Sequence, residues 1–310
     1  MGDVAPPLSL IGPGDGDGVR AFVRQHTSLR AGTAEALGAG MGSVAWLIDG
    51  DWVARFPITA DARATLQTEL ALLALLHDAL PVPVPGIEHV ARNPEGEAIM
   101  TAYRLLDGVP LSLPALAALS DSARARAFNE LSGMIDALRR VPVEHAQGAG
   151  VHVRRHEGFG HPSQRELHHR HSARVGDKAV TRIEELWRAY ETGADEAATP
   201  DTLVHADLKP EHVLHDPNSG EITGVLDWGD ACLSHADFEL AVIGLFFDAN
   251  VRDEVARRLP NVNEQQVAQH AELLVAVRWL CDLDVGAIDG DDPFVSMCAA
   301  SLRRHLDTRA

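Results

Sequence analysis

Short apolar runs broken by turn residues dominate the first third of the chain, and helical spacing dominates most of the remainder. From Ala34 to Phe56 the apolar runs are separated by Gly-rich and Asp-Gly turns, which predicts antiparallel strands. Within this stretch VAWLIDGDWVARF sets Asp49, Gly50 and Asp51 between two β-prone runs, a hairpin signal. A short helix is predicted ahead of it, from Gly18 to Gln25. Leucines and alanines then recur at helical spacing from Ala62 to Leu76, and the prolines of PVPVP, from Pro81 to Pro85, end that helix. A strand pair is expected around Gly86 to Arg104.

Ser120 to Arg140 and Asp177 to Tyr190 read as helices, joined by a His-rich, poorly periodic stretch from Val151 to Ser172. Residues 191–200, ETGADEAATP, are polar and closed by a proline, so a loop is expected there. Two short apolar strands, Thr202 to Val204 and Ile222 to Leu226, flank the densest polar motifs, and the chain is mostly helical from about Asp237 onward. No repeat of fixed period occurs. A β-rich part followed by a helical part with a small β insertion predicts an α+β, bilobal protein with a cleft between its lobes. The expected division is a nucleotide-binding lobe over residues 1–104 and a catalytic and acceptor-binding lobe over residues 105–310.

Composition narrows the function classes. With 310 residues and 45% hydrophobic content the chain can bury one or two cores. A formal net charge of −18 excludes nucleic acid as a partner, because phosphate backbones need clustered Lys and Arg, and it suits a cationic partner or simple solubility. Three cysteines, Cys232, Cys281 and Cys298, with no paired spacing, fit buried thiols in a reducing compartment. MGDVAPPLSL has no basic region followed by an apolar core, and no run has the length of a membrane helix. A cytoplasmic protein with no membrane partner is expected; oligomeric state is left open.

Against this background three motifs carry chemistry. HADLKPEH, from His205 to His212, offers Asp207 as a base or positioning group for an attacking hydroxyl, and Lys209 to neutralise a transferred phosphoryl group. His212 is a candidate ligand or scaffold residue. In VLDWGD, Asp227 ends an apolar strand before a glycine turn, where a carboxylate can hold a hard cation against phosphate oxygens. The two aspartates are expected on adjacent strands of one hairpin. In LGAGMGSVAWL, Gly38, Gly40 and Gly42 let backbone N–H groups approach nucleotide phosphates, and Ser43 adds a hydroxyl donor. WVARFP offers Arg55 as the cation for the α/β-phosphates, and Glu69 on the following helix can pair with it.

On HADLKPEHVL and GVLDWGDACLSHADFELA the chain resembles the aminoglycoside phosphotransferase superfamily, whose members share the protein-kinase fold, over about residues 30–245. The resemblance implies a Mg2+-dependent kinase using ATP or GTP, with Asp207 as catalytic base and Asp227 as main metal ligand. It makes the glycine loop, Arg55 and Glu69 the nucleotide clamp. IMTAYRLLDG, from Ile99 to Gly108, becomes the hinge, with backbone near Met100 and Ala102 holding the nucleobase. His212 stands where Asn is usual for the second metal position, and Arg55 where Lys is usual; both resemble the 2''-aminoglycoside and macrolide kinases. The family's DPDFDLA-like segment reads HADFELA here, departing at His235 and Glu239. A protein kinase is the nearest competitor, but no segment ending in an A-P-E-like motif follows Asp227.

The resemblance places acceptor specificity in the C-terminal helices. Asp230, Asp282, Asp284, Asp289, Asp291 and Asp292 could face a polycationic aminoglycoside, or simply be solvated. Leu245, Phe246, Phe247 and Trp279 could wall a macrolide site, or be core. Choline, homoserine and sugar kinases, which share the fold, stay open, as does a degenerate binding module. His152, His156, His161, His168, His169 and His171 repeat no zinc pattern, and a substrate-covering segment is favoured over a metal site.

Overall fold

The structure is a computed structural model and describes residues 16–40, 42–153, 166–196 and 202–307. His156 and His161 of the His-rich stretch lie outside the described residues. The chain forms two compact units, Met1–Glu130 with Glu144–Val151 and Glu211–Ala231, and Leu131–Val143 with His152–Pro210 and Cys232–Ala310.

The first unit is built on an antiparallel sheet of β1 (Ala34–Ala39), β2 (Ser43–Ile48), β3 (Trp52–Pro57), β4 (Ile87–Arg92) and β5 (Ala98–Arg104), in the order β1-β2-β3-β5-β4. The β2–β3 hairpin turns at Asp49 and Gly50, with φ of 53° and 78°, the two positive values that a type I′ turn needs. One face of the sheet buries Val44, Trp46, Ala54, Phe56 and Met100 against Val19, Phe22 and Val23 of α1 (Gly16–His26). The rings of Phe22 and Phe56 meet edge to face at 5.6 Å.

Helix α2 (Ala60–Leu76) starts where Thr59 Oγ1 accepts a hydrogen bond from the Ala62 N–H, and it buries Leu66, Leu72, Leu73 and Leu76. Gly42 packs closely on the start of α2, where an added Cβ would lie 3.2 Å from Ala62 Cβ and press on the helix. Helices α3 (Leu113–Ala118) and α5 (Val143–Gly148) and the first half of α4 (Asp121–Arg139) also fall in this unit, with a small sheet of β6 (Val109–Pro110), β8 (Val213–His215) and β9 (Ile222–Val225).

In the second unit α6 (Leu167–Arg170), α7 (Ser172–Val175) and α8 (Asp177–Glu196) precede β7 (Thr202–Val204). Strand β10 (Cys232–Ser234) pairs with β7, and α9 (Phe238–Phe246), α10 (Ala249–Ala256), α11 (Glu264–Asp289) and α12 (Asp292–Asp307) complete the unit. Gly286 lets α12 lie close to α11, since a Cβ there would come within 2.7 Å of the Phe294 ring. Arg182 of α8 grips the buried Glu272 of α11 through three contacts of 2.9–3.0 Å.

Two expectations are corrected. Residues 191–196 continue α8 rather than forming a loop, because the Ala- and Glu-rich composition sustains the helix past Gly193. The strands bearing the two motif aspartates do not share a hairpin: β7 pairs with β10, whereas β9 pairs with β8 across the Asp216–Glu221 turn. Pro210 opens a 3-10 turn over Pro210–His212 that redirects the chain between β7 and β8. Among the described residues no helix is long and apolar enough to cross a membrane, and Cys232, Cys281 and Cys298 are free thiols.

Candidate active site

In the first unit, strand alternation turns Arg55 to the face of the sheet that α2 covers. Its guanidinium meets Glu69 Oε1 at 2.7 Å and Asp227 Oδ1 at 3.0 Å. Glu69 is 6% exposed. Burial alone would lower the Arg55 pKa, but the carboxylates of Glu69 and Asp227 outweigh it and drive the pKa upward, so this cation stays charged. The neighbouring Tyr103 hydroxyl is pushed up to about 12, chiefly by burial and against the pull of Arg55.

Asp227 follows β9 with φ 61° and ψ 68°, a left-handed conformation that costs a non-glycine residue on the order of 1 kcal/mol. The turn is held from both sides. Trp228 is 1% exposed and donates from Nε1 to the Val225 carbonyl at 2.9 Å, while the Leu226 N–H reaches the His212 carbonyl at 2.8 Å. His212 Nε2 lies 3.4 Å from Asp227 Oδ2. One Asp227 oxygen thus faces Arg55 and the other the imidazole, and the side chain is 44% exposed. A half-exposed carboxylate with an adjacent imidazole fits a divalent cation: the carboxylate suits Mg2+, the imidazole less so.

Along the glycine loop, Gly40 N–H bonds to the Ser43 carbonyl at 2.9 Å across the turn between β1 and β2, and Ile58 N–H bonds to the Gly42 carbonyl at 2.8 Å, extending the β2–β3 ladder by one pair. A Cβ at Gly38 would meet no atom within 4 Å, and at Gly40 only the Ser43 carbonyl at 3.9 Å, so packing within the chain does not require these two glycines. Met100 and Ala102 lie buried in β5, and the ladders on both sides occupy the backbone of Ala102, opposite Ala54 and His89. The chain leaves the sheet at Leu105, whose N–H bonds to the Asp51 carbonyl at 2.8 Å.

In the second unit, Asp207 Oδ2 and Lys209 Nζ lie 3.0 Å apart, and Lys209 Nζ stands 5.8 Å from the Phe246 ring centre. Ala206, just before Asp207, also has a positive φ, 67°. What holds this loop is a residue to which the sequence alone assigns no role. Glu239 of α9, 1% exposed, accepts backbone hydrogen bonds from His205 at 2.6 Å and Ala206 at 3.1 Å. Its signal in the sequence is a carboxylate in an otherwise apolar helix, FELAVIGLF.

Two of the candidate acidic residues of α11, Asp282 and Asp284, are already engaged. Asp282 accepts from Arg278 Nε at 3.0 Å. Asp284 meets His171 Nε2 at 2.7 Å and Arg170 at 3.1 Å; burial would raise its pKa, but these two hydrogen bonds hold it below the ordinary carboxylate value. Trp279 is half-buried on the same helix, and Asp230 is exposed in the turn after Asp227.

An antiparallel sheet with one ion-paired helix, and helices gathered around a Glu239-pinned Asp207 loop, define a kinase-like fold. The chain belongs to the phosphotransferase enzyme family, whose model matches residues 33–273. Uncharacterized protein YcbJ of Bacillus subtilis (strain 168) is 28% identical over 196 residues, and the match spans 58% of each chain. Among solved structures, the GDP and kanamycin complex of APH(2")-IIia is similar with a TM-score of 0.82 at 24% identity, covering 94% of this chain and 99% of that one. Macrolide 2'-phosphotransferase MphH from Brachybacterium faecium, as apoenzyme, gives 0.67 at 22% identity, covering 94% and 98%.

Proposed function

We propose that this phosphotransferase moves the γ-phosphate of Mg2+-bound ATP or GTP to a hydroxyl group of a small, cationic acceptor of the aminoglycoside type. The observation that carries the reading is Arg55 held between Glu69 and Asp227, a fixed cation for nucleotide phosphates beside a carboxylate suited to a metal. Residues 1–104 form the nucleotide lobe in this reading and residues 105–310 the catalytic and acceptor lobe.

Asp207 accepts the proton of the acceptor hydroxyl as its oxygen attacks the γ-phosphorus in line with the departing diphosphate. Lys209, 3.0 Å from Asp207, offers positive charge to the transferred phosphoryl group. Asp227, with His212 as second donor, would hold Mg2+, and the ion would supply charge neutralisation for the phosphates. Arg55 binds the α/β-phosphates, Glu69 orients it, and the loop from Gly38 to Ser43 covers the phosphate tail with backbone and hydroxyl donors. The chain beyond the end of β5 supplies backbone groups for the nucleobase, because the ladders on both sides already occupy the backbone of Ala102.

The net charge of −18 and the likeness to a kanamycin complex support an aminoglycoside acceptor. Asp230 is the exposed candidate for its ammonium groups; Asp282 and Asp284, tied to Arg278 and to His171 and Arg170, line the acceptor side with Trp279 in already neutralised form. A macrolide acceptor is the second reading, favoured by Phe246 beside Lys209.

The test is release of nucleoside diphosphate from Mg2+ with ATP or GTP, against aminoglycosides, macrolides, choline and small sugars. Stimulation by an aminoglycoside is expected. Stimulation by a macrolide alone, or by choline or a sugar alone, would replace the acceptor, and absence of nucleotide binding would sink the kinase reading.

A further inference from the structure

The histidines of the stretch from Val151 to Ser172 take no part in the proposed phosphoryl transfer. Two of them, His168 and His169, sit side by side on α6, and α8 brings Glu184 to them. His169 Nε2 lies 3.3 Å from Glu184 Oε1. The imidazole rings of His168 and His169 are 4.1 Å apart, tilted by 37°. One donor atom from each of the three residues lies within 4.8 Å of the other two.

We propose that His168, His169 and Glu184 form a zinc site, separate in its residues from the Asp227 and His212 pair. Two imidazoles and one carboxylate are the donor set of a three-ligand zinc centre, with water at the fourth position. Zinc bonds of about 2.0–2.1 Å place tetrahedral donors roughly 3.3 Å apart. The His169–Glu184 separation already has that value. His168 is 3% exposed and fixes one corner of the site, whereas the His169 and Glu184 side chains are 59% and 41% exposed and have room to close around an ion.

The same donor set selects the metal. Imidazole nitrogen favours Zn2+ and its late-transition neighbours over Mg2+ and Ca2+, so a Mg2+ concentration that serves phosphoryl transfer leaves this site to zinc. His171 is held by Asp284 at 2.7 Å and stands outside the donor set, fixing the turn between α6 and α7. Bound metal would join α6 to α8, and any ion that binds only the folded chain stabilises it by mass action.

The test uses the full chain with saturating Mg2+ and a chromophoric chelator competing for Zn2+. Wild type is compared with His169→Asn and Glu184→Gln, which alter exposed positions and leave the core intact. The expected result is loss of one zinc equivalent, or an affinity at least about tenfold weaker, in each variant, with partial recovery in Glu184→Asp. Co2+ in place of Zn2+ should give the intense d–d absorption of tetrahedral coordination in wild type and lose it in both variants. Equal zinc stoichiometry and affinity in all three proteins would overturn the site, as would a weak, octahedral Co2+ spectrum that the variants leave unchanged.

Discussion

Arg55 of β3 reaches Glu69 of α2 at 2.7 Å and Asp227 of the turn after β9 at 3.0 Å, so one guanidinium ties together sheet, helix and turn. The planar fork makes this possible, because two N–H groups of one cation can face two carboxylates at once. Lysine carries the same charge on a single point. Arg55→Lys is therefore expected to keep one contact and lose the other, weakening Mg-nucleotide binding by roughly 10- to 100-fold, the equivalent of about 1.5–3 kcal/mol for one charged hydrogen bond. Nucleotide titration with Mg2+ present measures it, and unchanged affinity would remove Arg55 from the clamp.

Removing the charge altogether acts on stability as well. Arg55→Met leaves the Glu69 carboxylate, 7% exposed, without its cation. A buried ion pair broken on one side costs about 3–5 kcal/mol. The midpoint of urea denaturation should fall accordingly, and the double variant Arg55→Met with Glu69→Leu should recover most of the loss. A single variant as stable as wild type would show that solvent reaches Glu69 freely.

The two motif aspartates should separate in kinetics. Asp207→Ala is expected to lower kcat by about 10²–10⁴ while nucleotide affinity stays near the wild-type value. Asp227→Ala should instead abolish the Mg2+ dependence of nucleotide binding. Residual full turnover in the first, or an unchanged Mg2+ titration in the second, would reverse these roles.

Glu239 gives a sharper test of how the Asp207 loop is held. Its carboxylate satisfies the N–H groups of His205 and Ala206, and Glu239→Ala would leave both buried donors without it, at about 1–3 kcal/mol each. A loop set loose in this way should lose kcat with little change in nucleotide affinity. Glu239→Gln keeps a carbonyl oxygen that can accept, and should restore part of kcat. Equal kcat in all three proteins would confine Glu239 to the core.

How far the sequence reaches is visible in these same residues. Apolar runs bounded by turn residues find β1 to β3, with Asp49-Gly50 marking the turn between β2 and β3, and helical spacing finds α2. Arg55 and Glu69 could be paired on paper because a strand leads directly into the helix that covers it. The pairing of β7 with β10, and of β8 with β9, was not legible: strands of three or four residues hold no alternation, and their partners are set by the turn at Pro210–His212. Glu239 reads as an isolated charge until α9 is seen to pass beneath the backbone of His205. Asp284 likewise looks available in sequence, yet its partners, Arg170 and His171, come from another helix and the turn after it.

His270 makes acid stability measurable. It lies on α11 with 4% exposure, and burial first, then the nearby His235, lower its pKa from 6.5 to about 4. The folded state thus holds fewer protons at this site than the unfolded chain, whose histidine titrates near 6.5. Its contribution is fully present above pH 6.5 and is lost as pH falls through the window down to about 4. Two to three pKa units correspond to about 3 kcal/mol across that window. His270→Asn cannot take up the proton. Urea denaturation of wild type and variant at a series of pH values should show a steep loss of stability on acidification in wild type and a shallower one in the variant. Parallel profiles would mean that His270 keeps an ordinary pKa in the folded chain, and that acid unfolding begins elsewhere.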